Sequence, residues 1–220
     1  MKKAFSLSEV LIALVIIGVI AAITVPSVFA DYREKEKSAK VKKIYSTLAN
    51  AMTKVKAAGG VMDFDMENNS NQNIKSWYDT YLATNLVTTK TCYNTSGCWH
   101  NDDNLYLNGT ESPGNRKGVG IGSNIVTAVL NDGTFINVNI YDASVITNRY
   151  GVNADSAGLL IFFDINGERK PNTIGRDVFA AVWTEDGFVP AYKDKTLQQK
   201  NTDCSSSGTG LACINKYLRQ

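Results

Sequence analysis

Residues 5–26 read FSLSEVLIALVIIGVIAAITVP, and this stretch decides how the rest of the chain is organised. It contains one charged residue, Glu9, after which every residue from 10 to 23 is apolar or glycine. A run of this length is long enough for a helix to cross a bilayer core of about 30 Å. A carboxylate at the edge of such a run is costly without a partner, so we interpret Glu9 as a functional residue.

Three interpretations of this segment compete. The first is a plain signal anchor. The second is a secretory signal peptide, in which Lys2 and Lys3 form the basic region and Val28-Phe29-Ala30 forms a small-residue cleavage site. The third is a prepilin leader, because the segment resembles the N-terminus of type IV pilins and type II secretion pseudopilins.

This resemblance implies that prepilin peptidase removes the basic leader, residues 1–4, by cutting between Ala4 and Phe5, and that Phe5 is then N-methylated. Glu9 falls at the fifth position of the mature chain, where the family has a glutamate. The family usually has glycine before the cut, so Ala4 departs from its pattern as another small residue.

The resemblance also implies a role for Glu9 in assembly. In the family, this glutamate lies against the N-terminal amine of an adjacent subunit, and such a pairing would fix the axial register of the subunits. A buried charge needs an opposite charge, and Glu9 could find it in the N-terminal amine of its own chain, about one helical turn away, or in that of a neighbouring subunit. The alternative is a charge that snorkels to the membrane edge. Gly18 and Pro26 also lie where the family commonly has glycine and proline.

The helix is expected to continue past Pro26 with a kink, because an apolar stripe at helical spacing resumes beyond it. The stripe consists of Val41, Ile44, Tyr45, Leu48, Met52 and Val55. Gly59-Gly60 then predicts a stop. We therefore divide the chain into a leader (1–4), a transmembrane or filament-core helix (5–30), an amphipathic half (31–58) and a globular domain (59–220).

The globular domain shows the pattern of an antiparallel sheet. Residues 125–130 and 134–141 flank an Asp132-Gly133 turn, and residues 178–184 and 188–192 form a second predicted hairpin. The apolar run 159–165 predicts a central strand, residues 74–86 a short helix, and residues 88–118 an exposed loop. The expected fold is α+β and pilin-like, with a long N-terminal helix packed on a four- or five-stranded antiparallel sheet.

The chain has four cysteines in two close pairs downstream of an export segment. This spacing favours the disulfides Cys92–Cys98 and Cys204–Cys213, although the sequence permits three connectivities. Zinc is the alternative, but neither spacing is C-x-x-C and the chain has a single histidine. That histidine, His100, lies in a polar segment and is expected on the surface.

Residues 164–177 read DINGERKPNTIGRD and resemble a loop found in some pilin-like proteins. Some secretion pseudopilins bind calcium near this part of the fold. The oxygen donors Asp164, Asn166, Glu168 and Asp177 suit calcium. The alternative is ordinary turn formation, with Asp177 bonded to the loop backbone.

Together these features predict a structural subunit of a type IV pilus or related pseudopilus filament, not an enzyme. The resemblance implies insertion in the inner membrane, processing by prepilin peptidase, and incorporation through an assembly platform, with other pilins or pseudopilins, into a periplasmic or extracellular filament. The alternative is a secreted soluble binding domain released after Ala30.

A net charge of +2 gives no case for a nucleic-acid partner. The chain lacks G-x-S-x-G and Walker motifs and has no histidine cluster.

Overall fold

In the computed structural model, the chain is described over residues 6–60, 71–184 and 187–219. Its first helix, α1 (Leu7–Ala57), contains Pro26 and agrees with the long helix that the sequence predicts. The chain divides into two compact units, Met1–Ala39 and Lys40–Gln220. Helix α1 therefore contributes residues to both units.

The other helices and strands all belong to the second unit. In chain order they are α2 (Asn71–Trp77), β1 (Thr88–Tyr93), β2 (Asn115–Arg116), β3 (Gly120–Ile121), β4 (Ile125–Leu130), β5 (Phe135–Tyr141), α3 (Ala143–Tyr150), β6 (Gly158–Asp164), β7 (Val178–Thr184), β8 (Gly187–Pro190), α4 (Leu197–Asp203) and α5 (Ile214–Arg219).

The main sheet has six strands in the order β1-β4-β5-β6-β7-β8, and every neighbouring pair is antiparallel. The α+β prediction is confirmed, but the expected count of four or five strands is wrong. The additional strand is β1, which lies within the segment predicted as a loop. Its residues TTKTCY are β-prone, and they form a strand because the edge of β4 supplies their hydrogen-bond partners. The same segment also contributes the short β2–β3 ribbon.

The two predicted hairpins are present. In the first, β4 and β5 pair from Ile125↔Asn139 to Val129↔Phe135, and Gly133 adopts a φ of 84° in the connecting turn. A positive φ is costly for residues with a Cβ atom, which explains the glycine. In the second, β7 pairs with β8, and turn residues 185–186 lie outside the described residues.

The central strands of the sheet are buried on both faces, which explains why β6 reads as a continuous apolar run. Leu159, Ile161 and Phe163 join the cluster that contains the α1 stripe, including Val41, Leu48 and Val55. Their alternate neighbours, Leu160 and Phe162, join a second cluster with Tyr150 of α3. The period-two geometry of a strand thus divides one apolar run between two cores.

The predicted helix over 74–86 is present as three consecutive helical segments of different type. Helix α2 leads into a π-helical turn at Tyr78–Leu82 and a 3₁₀ turn at Ala83–Asn85. Residues 62–73 are polar and rich in asparagine, which predicts a loop, and most of them lie outside the described residues. The polar C-terminal tail contains α4, a 3₁₀ turn and α5.

Candidate processing and assembly site

The start of α1 is closed by a reciprocal pair of hydrogen bonds between Ser6 and Glu9. The backbone N–H and the hydroxyl of Ser6 donate to Glu9 Oε2 at 2.8 and 2.7 Å. The backbone N–H of Glu9 donates to Ser6 Oγ at 3.3 Å. This is a capping box, in which a Ser-x-x-Glu sequence satisfies backbone donors that the first turn of a helix leaves unpaired.

The capping box gives the Glu9 carboxylate partners within its own chain. Glu9 remains exposed, so the same carboxylate is accessible to a cation from outside the chain. Sequence reasoning singled out Glu9 and missed Ser6, although the Ser-x-x-Glu pattern that identifies a capping box is present at residues 6–9. The cleavage residues Ala4 and Phe5 lie outside the described residues.

Beyond Glu9, α1 presents large apolar side chains to the exterior. Within the described residues, α1 is the one helix long and apolar enough to cross a membrane, by length and composition. Its exposed side chains include Ile12, Ile17, Ile23 and Phe29, which are 58–72% exposed. A continuous apolar surface of this kind fits lipid or an apolar protein partner. The apolar helix therefore indicates a membrane anchor.

Both disulfides have the pairing that the spacing favours. Cys92 and Cys98 have Cα atoms 5.8 Å apart, and Cys204 and Cys213 have Cα atoms 4.9 Å apart. The first bond ties the end of β1 to the following loop. The second ties the end of α4 to the 3₁₀ turn at Leu211–Cys213, so it restrains the C-terminal tail.

The predicted calcium loop begins with a tight turn at Asp164, the last residue of β6. Asp164 Oδ1 accepts hydrogen bonds from the backbone N–H groups of Asn166 and Gly167 at 2.9 and 3.0 Å. Gly167 has a φ of 63°, and a Cβ atom there would lie 2.7 Å from the carbonyl oxygen of Gly133. The loop therefore requires glycine at this position.

Asp177 closes the loop by hydrogen bonds to its own backbone. Asp177 Oδ1 accepts from Thr173 N at 2.6 Å, and Oδ2 accepts from Asn172 N and Asn166 Nδ2 at 2.8 and 3.1 Å. These hydrogen bonds match the alternative to calcium binding, in which Asp177 bonds to the loop backbone and orders the loop. Of the four predicted ligands, Glu168 is exposed, whereas Asp164 and Asp177 are buried.

The expectation that His100 lies on the surface is wrong, because its side chain is fully buried beside this loop. His100 Nε2 lies 2.9 Å from Asn104 Oδ1 and 3.9 Å from Asp164 Oδ2. The surrounding sequence is polar, but the 100–104 segment packs against the loop that follows β6. A hydrogen bond from Asn172 Nδ2 to Asp102 Oδ2, 3.1 Å long, joins the two segments.

Several buried polar atoms around His100 and Asp164 have no hydrogen-bond partner among the described residues. They are His100 Nδ1, Asp164 Oδ2, Asn166 Oδ1 and Asn172 Oδ1. Three of these atoms are oxygens that can accept a hydrogen bond or bind a cation. No three His, Cys, Asp or Glu side chains converge on a metal position in the part of the chain that the structure describes.

Burial changes the proton affinities of this cluster in opposite directions. Burial, together with the nearby Asp177 carboxyl, raises the pKa of Asp164 to about 8. Burial also raises the pKa of Asp177, against the effect of its three hydrogen-bond donors. Burial lowers the pKa of His100 below its ordinary value of 6.5. At neutral pH, Asp164 therefore favours its protonated form and His100 its neutral form.

These pKa values predict that the metal-free protein loses stability as pH rises from 6.5 to 8. In that range the folded state holds a proton on Asp164 that the unfolded state has released, since the ordinary pKa is 3.8. The free energy of unfolding should fall by about 1–2 kcal/mol over this range. Below pH 6.5, His100 has the opposite effect, because burial lowers its pKa in the folded state and the unfolded state binds this proton more readily.

Urea unfolding of the full chain in nonionic detergent and EDTA, followed by tryptophan fluorescence, measures this effect. The control is Asp164→Asn, which keeps the side chain neutral at every pH and should show a smaller slope. A wild-type protein with equal stability at both pH values, or an unchanged slope in Asp164→Asn, would contradict the assignment.

Comparison with known proteins gives one match. Residues 1–25 match the family model described as the prokaryotic N-terminal methylation motif. No curated protein and no solved structure matches the chain. The match covers the segment in which the sequence places the Ala4–Phe5 cut and the capping-box residue Glu9. The chain therefore carries, at residues 1–25, the prepilin-type cleavage signature of type IV pilins and pseudopilins.

Proposed function

We propose that this protein is a structural subunit of a type IV pilus or a related pseudopilus filament. Prepilin peptidase cuts between Ala4 and Phe5, and Phe5 is N-methylated. The subunit waits in the inner membrane as a single-pass protein. It then assembles, through the platform in that membrane and with other pilins or pseudopilins, into a periplasmic or extracellular filament. No enzymatic activity is part of this proposal.

The methylation motif over residues 1–25 carries the proposal. Two structural features support it. The exposed apolar part of α1 is suited first to lipid and then to an apolar bundle of neighbouring helices. The C-terminal part of the same helix packs its apolar stripe on an antiparallel sheet, which agrees with a pilin-like fold. Copies joined through unlike surfaces form open helical assemblies, as a filament requires.

Intact mass spectrometry of the mature protein from its native host tests the proposal. Loss of residues 1–4 with the gain of one methyl group is the expected result. Loss of residues 1–30 would instead support the alternative, a soluble binding domain released by signal peptidase after Ala30. An unprocessed chain would mean a plain signal anchor and would contradict both.

Ala4→Leu is a suitable control for this measurement. A bulky residue before the cut should block processing by prepilin peptidase, which accepts a small residue there, and the precursor mass should persist. Cleavage after Ala30 should be unaffected, because position 4 lies far from that site in the sequence. Equal processing of Ala4→Leu and wild type would contradict a cut between residues 4 and 5.

We also propose that the loop after β6 binds a structural calcium ion. The supporting observation is that buried oxygens of Asp164, Asn166 and Asn172 find no hydrogen-bond partner among the residues that the structure describes. Carboxylate and amide oxygens are the ligands that calcium prefers. Asp177 would keep its hydrogen bonds to the loop, and the exposed Glu168 is the least suited of the predicted ligands.

The urea experiment at pH 8, repeated with calcium in place of EDTA, tests this second proposal. Calcium should stabilise the wild type more than magnesium does, because magnesium gives up its water ligands reluctantly. Asp164→Asn should lose most of that gain. Equal stability of the wild type in calcium and in EDTA would show that the loop binds no calcium.

A further inference from the structure

The second unit contains an open cleft of about 400 Å³ that the proposed function does not use. Its walls come from the β2 strand and the residues before it, the turn after β3, the end of β5, and α3. Two arginines line it, Arg116 from β2 and Arg149 from the last turn of α3, together with Tyr141 at the end of β5. None of its lining residues belongs to α1.

Both guanidinium groups are held in place by the walls of the cleft. Arg149 Nη2 donates to the carbonyl oxygen of Pro113 and to the hydroxyl of Tyr106, each at 3.1 Å. Arg116 Nη1 donates to the carbonyl oxygen of Ser123 at 3.1 Å and to Asn94 Oδ1. The side chains are half-buried, so their positive charges are partly removed from water.

The anchoring carbonyls of Pro113 and Ser123 lie on two adjacent segments of backbone. The N–H of Gly122 donates to the carbonyl oxygen of Gly114 at 2.8 Å, which joins the segment after Pro113 to the segment before Ser123. Each arginine is thus fixed to one side of the same Gly114–Gly122 bridge. This arrangement brings two positive charges to one cleft.

Neither charge is neutralised within the described part of the chain. The hydrogen-bond acceptors of Arg116 and Arg149 there are all neutral: carbonyl oxygens, one amide oxygen and one hydroxyl. Each guanidinium presents several N–H donors in a planar fork, and these bonds engage only one terminal nitrogen of each. The other terminal nitrogens make no hydrogen bond within the described residues, and arginine forks bind oxyanions in bidentate fashion.

The size of the cleft and the Tyr141 ring limit the kind of ligand. A volume of about 400 Å³ lies within the usual range for small-molecule sites and exceeds the needs of a lone oxyanion. The partly buried ring of Tyr141 adds a flat apolar wall beside the charges. We propose that this cleft binds a sugar-sized anionic ligand, whose carboxylate or phosphate group lies between Arg116 and Arg149.

Four probes distinguish the contribution of the anionic group to binding from that of the sugar ring. Isothermal titration calorimetry of the full chain in nonionic detergent, at low ionic strength, would use glucuronate, glucose 6-phosphate, glucose and inorganic phosphate. We expect binding of glucuronate, glucose 6-phosphate or both, and weaker binding of glucose and inorganic phosphate. Added salt should weaken binding of the charged sugars. Which charged sugar binds more tightly identifies the anionic group.

Arg116→Gln and Arg149→Gln should each weaken binding of the charged sugar by about ten- to a hundredfold, because each removes a charge-assisted contact. Arg219→Gln is the control, since it removes an exposed arginine at the end of α5. Arg116→Lys and Arg149→Lys keep the positive charge but lose the planar set of guanidinium N–H donors. They test the site if a glutamine variant is unstable.

Four results would overturn the proposal. Glucose could bind as tightly as the charged sugars, or none of the four probes could bind. Inorganic phosphate could bind as tightly as glucose 6-phosphate, which would leave no role for the sugar-sized space. The arginine variants could bind the charged sugar as tightly as Arg219→Gln does.

Discussion

We expect Glu9→Ala to reduce filaments below detection while membrane insertion and N-terminal processing continue. The apolar residues that insert into the membrane lie after Glu9, and the cut at Ala4–Phe5 lies before it, so neither should depend on its charge. Assembly differs, because the amine of a neighbouring Phe5 would have no carboxylate partner inside an apolar bundle. Fractionation, intact mass and electron microscopy of sheared filaments measure the three steps separately.

The capping box allows a sharper version of this experiment. Glu9 has two roles in the proposal, as a hydrogen-bond partner of Ser6 and as a charge for another subunit. Glutamine also completes a capping box, so Glu9→Gln keeps the first role and removes the second. Ser6→Ala removes the serine hydroxyl and keeps the carboxylate. We expect Glu9→Gln to fail in assembly like Glu9→Ala, and Ser6→Ala to retain filaments.

The opposite pattern would assign Glu9 to helix capping alone. Filaments from Glu9→Gln together with their loss in Ser6→Ala would mean that assembly requires the helix cap and not the charge. Normal filaments from Glu9→Ala would remove any assembly role for this residue. Each variant should be compared at equal amounts of processed protein, because reduced processing also lowers the filament yield.

Asp177→Ala should cause a large loss of stability, about 3–5 kcal/mol. The substitution leaves three hydrogen-bond donors inside the loop after β6 without an acceptor: Asn172 N, Thr173 N and Asn166 Nδ2. A buried donor without a partner costs about 1–3 kcal/mol, and loss of the buried carboxylate recovers part of that cost. Urea unfolding of the full chain in detergent and EDTA at pH 7 measures the difference.

Two further variants show whether the hydrogen bonds account for the loss. Asp177→Asn keeps one acceptor oxygen in a side chain of the same shape, so its stability should lie between those of Asp177→Ala and the wild type. Asp155→Ala removes an exposed aspartate and should leave stability nearly unchanged. If Asp177→Ala is as stable as Asp155→Ala, the carboxylate does not hold this loop together.

The sequence determined the features of this protein that depend on local pattern. The hydropathy of residues 1–26 predicts an apolar helix, and the resemblance of this segment to type IV pilins implies its processing. The helical stripe from Val41 to Val55 predicts how α1 packs. The Asp132-Gly133 turn fixes the first hairpin, and the close cysteine spacing favours both disulfides. Each of these signals extends over neighbouring residues, so it can be recognised before the chain folds.

The tertiary structure alone decided the features that depend on distant segments. Strand β1 contains β-prone residues, but it forms because the edge of β4 supplies its hydrogen-bond partners. His100 is buried because the loop after β6 covers it. Arg116 and Arg149 are 33 positions apart in the sequence, and folding places both of them in the lining of one cleft. Burial, edge pairing and charge convergence are properties of the packed chain. No local pattern encodes them, because they arise from the contacts that folding creates.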